Sequence, residues 1–130
     1  MRRLIFVPLL SALAFAAGLT AATAAPSLEG SWSGSGVISH GGAADQVHCR
    51  VRYTRSGGSS YSYHSTCATE TGRYELDGHI TSSGGNRYSG SVSSPDYKGT
   101  GRVLLFQRGN SLSITATSGK GSAHITLSKN

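Results

Sequence analysis

The residues with chemical reach in this 130-residue chain are two cysteines, five histidines and two closely spaced acids. The cysteines, Cys49 and Cys67, are most simply one disulfide if the compartment is oxidising. Two thiolates cannot complete a structural zinc site, and no CxxC or HxxxH spacing supplies further ligands. His40, His48, His64, His79 and His124 show no metal-ligand clustering. No metal and no cofactor is expected. Glu75 and Asp77 sit two residues apart on one strand, so their carboxyls approach to ~6–7 Å. That resembles the spacing of glycosidase acids. Such acids, however, face each other across a cleft from different elements. The face that carries Asp77 also carries His64 and Ser91. A triad needs the imidazole between hydroxyl and carboxylate, and here the carboxylate lies between. No enzyme is expected.

Export is the first thing that bears on those groups. Met1-Arg2-Arg3 is basic, Leu4 to Ala17 is apolar, and Ala21 to Ala25 is a run of small residues. This is the layout of a secretory signal peptide. The apolar run is about fourteen residues, short of the ~20 that span a bilayer. Cleavage after Ala24 predicts a signal peptide over 1–24 and one domain over 25–130. The product is periplasmic or extracellular, without a transmembrane segment once the signal is gone. Removing Arg2 and Arg3 leaves ten Lys and Arg against six Asp and Glu, a net charge of +4. That weak, dispersed charge argues against nucleic acid. Anionic envelope components suit it better.

After the signal the chain holds 17 Gly and 21 Ser. Such content is ordinarily a sign of low complexity. It excludes helical bundles, coiled coils and nucleotide-binding α/β folds. From residue 28 onward, stretches of alternating character are separated by Gly/Ser/Asn clusters, the punctuation of strands and turns. Eight strands are predicted, near 28–38, 44–54, 60–68, 73–81, 86–93, 98–107, 111–117 and 121–128. The expected fold is all-β, an eight-stranded antiparallel up-and-down meander closing into a small barrel. A β-sandwich built from the same hairpins is the alternative.

Turn centres fix which residues oppose one another. A hairpin centred on Gly58 sets Cys49 against Cys67, Val51 against Ser65 and Tyr53 against Tyr63. Adjacent strands place such partners ~4.5–5.5 Å apart, which a disulfide tolerates. A hairpin centred on Gly84 sets Ile80 against Tyr88, Gly78 against Gly90 and Leu76 against Val92. A two-residue turn at Gly119-Lys120, of type II′ by its leading glycine, sets Ala116 against Ala123, Ile114 against Ile125 and Leu112 against Leu127. With Thr69 to Gly72 as a loop, Cys67 meets Tyr74, Ser65 meets Leu76, Tyr63 meets Gly78 and Tyr61 meets Ile80.

One face then carries Val47, Cys49, Val51, Tyr53, Tyr61, Tyr63, Cys67, Tyr74, Leu76, Ile80, Tyr88 and Val92. A row across it reads Tyr53, Tyr63, Gly78, Gly90, with the rings filling space over the glycines. Two readings stay open for Tyr53, Tyr61, Tyr63, Tyr74 and Tyr88: a packed core, or a cavity for one small ligand. An eight-stranded barrel permits either. The other face carries Arg50, Arg52, Arg73 and Arg87, a candidate anion-binding surface. One of its rows reads Arg52, His64, Asp77, Ser91. In the sixth strand, a two-residue turn at Gly109-Asn110 sends Val103 and Leu105 inward and leaves Leu104 and Phe106 outside. A three-residue turn does the reverse. The outward pair is either a partner surface or buried against the N-terminal strand.

Leu28-Glu29-Gly30-Ser31-Trp32 opens the first strand. A Gly-x-Trp there, ahead of a single-sheet meander, resembles the calycin barrels, lipocalins and avidins among them. The resemblance implies that Trp32 closes one barrel end under a late basic residue, Lys129. The chain also resembles the bacterial alkaline metalloprotease inhibitors, in its Gly-x-Trp start, its single disulfide and the His48-Cys49-Arg50-Val51-Arg52 stretch. Small secreted proteins of alphaproteobacteria look similar too, and no activity carries over from them. The inhibitors insert a free N-terminal segment into the protease. Here only Ala25 to Ser27 precede the first strand after cleavage, too short for that.

The expected function is a non-enzymatic exported binding module. Its partner would be a small amphipathic ligand over the tyrosine face or an anionic envelope component over the arginines. Protease inhibition of the metalloprotease-inhibitor type, through loops, is the alternative. The chain is expected to be a monomer.

Overall fold

A computed structural model describes residues 27–130. The predicted signal peptide lies outside these residues. All eight strands form: β1 (Gly30–His40), β2 (Ala43–Arg55), β3 (Ser60–Thr69), β4 (Gly72–Gly84), β5 (Arg87–Ser94), β6 (Tyr97–Arg108), β7 (Ser111–Ser118) and β8 (Gly121–Lys129). Each pairs antiparallel with the next, and β1 pairs with both β2 and β8, so one sheet closes on itself. Closure excludes the sandwich. It also leaves no sheet edge open to another chain.

The strands form because inward and outward residues alternate along them. Along β2, Val47, Cys49, Val51 and Tyr53 are buried while His48, Arg50 and Arg52 are exposed. A barrel wall needs that period of two. The β2–β3 and β3–β4 pairings are as the turn centres predict, with Tyr53 opposite Tyr63 and Tyr63 opposite Gly78. Cys49 and Cys67 face each other and are disulfide-bonded, joining β2 to β3 inside the barrel. Closing a loop of this length stabilises by about 3 kcal/mol in the chain-entropy view.

The β4–β5 hairpin differs from expectation. Gly78 pairs with Val92, Ile80 with Gly90 and Ser82 with Tyr88, two residues away from the pairing centred on Gly84. The turn is Gly85-Asn86, where both residues have positive φ. Such a two-residue turn matches the twist of its strands. The register also shifts between Ser82 and Gly84, where one extra residue makes a bulge. A two-residue slip preserves sidedness, so the residues predicted to face inward still do. The rows change: Tyr53, Tyr63 and Gly78 now continue to Val92, and Arg52, His64 and Asp77 continue to Ser93 rather than Ser91.

The β7–β8 pairs are as predicted. Its turn is not type II′, because Gly119 is absent from the left-handed region. Instead the Lys120 amide donates to the Ser118 hydroxyl at 3.2 Å. In β6, Arg108 pairs with Ser111 across Gly109-Asn110, so the two-residue turn is the one adopted. Val103 and Leu105 are buried, while Leu104 and Phe106 remain 58% and 37% exposed. The N-terminal strand does not cover them, since β6 lies between β5 and β7.

Candidate functional site

The meander brings the β2–β3, β4–β5 and β6–β7 turns to one end, together with the entry into β1 and the end of β8. That end is closed. Trp32 is fully buried there, and its indole N–H donates to the Leu28 carbonyl at 2.7 Å. Its ring meets Tyr53 edge-on, with centroids 6.5 Å apart. The Lys129 ammonium lies 5.8 Å from the indole centroid and donates to the Ser27 carbonyl at 2.9 Å. Lys129 is thus the late basic residue that stands over Trp32. Beside it, Arg55 donates to the Tyr61 hydroxyl at 3.0 Å and lies over the Tyr61 ring. Gln107 is buried in the same end, its side-chain amide donating to the Gly109 carbonyl. Sequence reasoning overlooked it, although two places beyond Leu105 on β6 is the inward position.

At the opposite end lie the β1–β2, β3–β4, β5–β6 and β7–β8 turns. Here the inner face is not covered. Ile38, Tyr74, Leu76, Val92, Ala116, Ala123 and Ile125 all face inward yet stay half-buried. Below them Val47, the Cys49–Cys67 bridge and Val103 are buried. The physical reason is volume. Gly101, Ala116, Ala123 and Gly121 bring little side chain from β6–β8 to fill the space opposite Tyr74 and Leu76. At the lip, His40 Nε2 and Asp45 Oδ2 are 3.1 Å apart. Both lie on the inner pleat face, with Asp45 opposite Ile38. A cleft of about 550 Å³ runs along this lip, between the β1–β2 and β7–β8 hairpins.

The tyrosines differ in their surroundings. Tyr53 and Tyr61 are buried core. Tyr63 and Tyr88 pack against that core from half-buried positions. A β-carbon on Gly78 would come within 2.5 Å of the Tyr63 hydroxyl, so this ring does lie over a glycine. At Gly90 a β-carbon would first meet the β4 backbone at His79 and Ile80. Burial, and then the nearby Tyr63, push the Tyr53 hydroxyl far above its ordinary value. Burial also raises Tyr63, as does the charge of Asp77. Tyr88 is raised by burial first, then by Tyr61, against a lowering from Arg55. The Tyr63 hydroxyl donates to the Ser91 carbonyl at 2.8 Å. Tyr74 alone of the five faces the open end.

The predicted arginines all point outward, but not to one place. Arg50 and Arg52 are neighbours on β2. Arg73 starts β4 at the open end, and Arg87 starts β5 at the closed end against Phe106. A shallow outer groove of about 340 Å³ holds Arg52, Tyr63, His64, Asp77 and His79. In it His64 Nδ1 and Asp77 Oδ1 are 2.6 Å apart. The hydrogen bond to Asp77 raises the His64 pKa, helped by the charges of Asp77 and Glu75 and opposed by slight burial. A raised folded-state value means stability present at pH below the ordinary ~6.5 and lost as pH rises through the raised value. For an exposed pair the effect is below about 1 kcal/mol. Thermal melting should therefore fall slightly over that window, and Asp77→Asn should flatten the dependence. An unchanged slope in the variant would remove His64 as its source.

No protein-family model matches the chain, and no curated protein does. Solved structures do. The redesigned β-barrel mFAP1 bound to DFHBI aligns with a TM-score of 0.67 at 10% identity, over 78% of this chain and 94% of that one. A second, EF1p2_mFAP2b bound to DFHBI, aligns with a TM-score of 0.68 at 8% identity, over 79% and 94%. A de novo designed fluorescence-activating β-barrel aligns with a TM-score of 0.62 at 13% identity, over 78% and 93%. The chain shares the fold of these designed eight-stranded barrels. At these identities the likeness concerns architecture alone.

Proposed function

We propose that this chain is a non-enzymatic exported binding protein that takes a small amphipathic molecule into the open end of the barrel. One observation carries the reading: the inner face is plugged at the Trp32 end, and only partly buried and largely apolar at the other. A ligand's apolar body would cover Ile38, Leu76, Val92 and Ile125. Its polar end would meet the His40–Asp45 pair at the lip. Sites of this kind are concave, mostly apolar and carry few polar groups. Designed barrels of the same fold hold a dye, which supports the reading by analogy. The disulfide is consistent with an oxidising, exported location.

The test is binding of an environment-sensitive probe, 1-anilinonaphthalene-8-sulfonate, to the native chain and to Ala123→Phe, which fills the mouth. The variant should lose affinity by about tenfold or more, equivalent to ~1.4 kcal/mol, with its melting temperature preserved. Equal binding by both proteins, or none by the wild type, would remove the mouth as a site. A second reading, inhibition of a secreted metalloprotease, rests on the Gly-x-Trp start, the single disulfide and the His48-Cys49-Arg50-Val51-Arg52 stretch, the features behind that family resemblance. Titration of such a protease with the intact chain separates the two.

A further inference from the structure

The outward residues of β6 read Arg102, Leu104, Phe106, Arg108, an apolar pair bracketed by arginines. Leu104 is the most exposed large apolar side chain among the described residues. Phe106 carries two guanidiniums over its ring, Arg87 at 5.8 Å and Arg108 at 5.4 Å from the centroid. Arg87 comes from β5, where it pairs directly with Phe106. Around them the neighbouring strands present short hydroxyls: Ser89 and Ser91 on β5, Ser113, Thr115 and Thr117 on β7. The row through Leu104 continues across Thr115 and His124 to Val37, itself 42% exposed. From residue 97 to the end, the sequence holds Lys98, Arg102, Arg108, Lys120 and Lys129 and no acid. The acids Glu70, Glu75 and Asp77 fall on or beside β3 and β4, outside the β5–β7 wall, with β4 bordering it at β5. Asp96, in the β5–β6 turn, is directed toward β4, where it accepts from the Glu75 amide at 3.3 Å.

We propose that this β5–β7 wall docks the barrel onto an anionic lipid surface. An aliphatic side chain standing out of a flat wall gains nothing in water, and gains where it can reach the acyl boundary. Arginines on both sides of it then lie at the depth of the phosphates. Each Lys or Arg near an anionic leaflet strengthens adsorption by about fivefold. The charge complementarity is one-sided, because no carboxylate among the described residues of β5, β6 and β7 opposes it. A hydrated polysaccharide would satisfy the arginines but leave the aliphatic Leu104 in water. This site is separate from the mouth, since Leu104 and Phe106 face outward on β6 while Val103 and Leu105 face inward.

The experiment is cosedimentation of the signal-free chain with vesicles of phosphatidylcholine containing about one-third phosphatidylglycerol, against pure phosphatidylcholine vesicles. The wild type should partition onto the anionic vesicles and be released by salt. Arg102→Gln with Arg108→Gln should weaken partition by about 25-fold, at roughly fivefold per arginine. Leu104→Ser with Phe106→Ser should weaken it by about tenfold through lost apolar burial. The arginine pair is exposed, so its circular dichroism melting should be unchanged; the Leu104/Phe106 variant should melt somewhat lower but stay folded at the assay temperature. Arg50→Gln with Arg52→Gln, on another wall, should leave partition intact. So should Ala123→Phe, whatever that variant does to the mouth. The proposal is overturned if anionic vesicles capture no protein, or if the Arg50/Arg52 pair matters as much as the β6 pair. It is equally overturned if sedimentation velocity shows a dimer that Leu104→Ser with Phe106→Ser dissociates.

Discussion

Trp32→Ala is expected to destabilise the barrel by about 3–5 kcal/mol, the range for emptying a buried aromatic site. The reason is the number of elements that converge on one ring. The indole joins the entry segment to β1 through the Leu28 carbonyl, meets β2 through Tyr53, and receives β8 through Lys129. Alanine removes all three contacts and leaves a cavity where β1 meets both its neighbours. Lys129 would keep its bond to the Ser27 carbonyl, but above an opening. Trp32→Phe separates packing from hydrogen bonding. It retains most of the apolar volume and leaves the buried Leu28 carbonyl without its donor, at a cost of about 1–3 kcal/mol. Urea unfolding followed by far-ultraviolet circular dichroism measures both, since Trp32 is the only tryptophan and its fluorescence vanishes with it. A loss below about 1 kcal/mol in the alanine variant, a surface-like value, would mean that Trp32 does not close the end.

That closed end was partly legible in the sequence, and the open end was not. The difference is physical. Pairings in β2–β4 follow from turn centres, and the Cys49–Cys67 match checks one of them independently. The β4–β5 turn offers Gly84, Gly85 and Asn86 in succession, so two centres compete, and only the positive φ at both Gly85 and Asn86 decides. Sidedness is kept there because the slip is even. Height along the barrel axis is another matter. It depends on the stagger accumulated over all eight strands, which no single hairpin encodes. Hence Leu76 and Ile80, alike by pattern, end in different surroundings: Ile80 buried, Leu76 only half-buried at the mouth. The lip pair could have been found. A two-residue turn at Gly41-Gly42 places Asp45 opposite Ile38, one pleat repeat from His40 on the same face.

Closure itself is the remaining element, and it rests on glycine. At the β1–β8 seam, a β-carbon on Gly34 would overlap the Thr126 carbonyl oxygen and lie 2.9 Å from Leu127 Cα. One on Gly36 would overlap the His124 carbonyl oxygen and lie 2.7 Å from Ile125 Cα. These obstacles are backbone, so no rotamer change relieves them; the strands must separate. Overpacking of this kind costs about 1–3 kcal/mol per site. Gly34→Ala with Gly36→Ala should therefore lose roughly 2–6 kcal/mol, and the loss falls on the one pairing that makes the sheet a barrel. Parting β1 from β8 exposes two edges, which pair with other chains. The variant should show a lowered urea midpoint and dimers or larger species by size-exclusion chromatography. Gly58→Ala is the control: nothing lies within 4 Å of its β-carbon, in a turn. It should change stability by less than about 0.5 kcal/mol. If the seam alanines prove as harmless as that one, the barrel does not need its strands so close, and the glycines serve something other than closure.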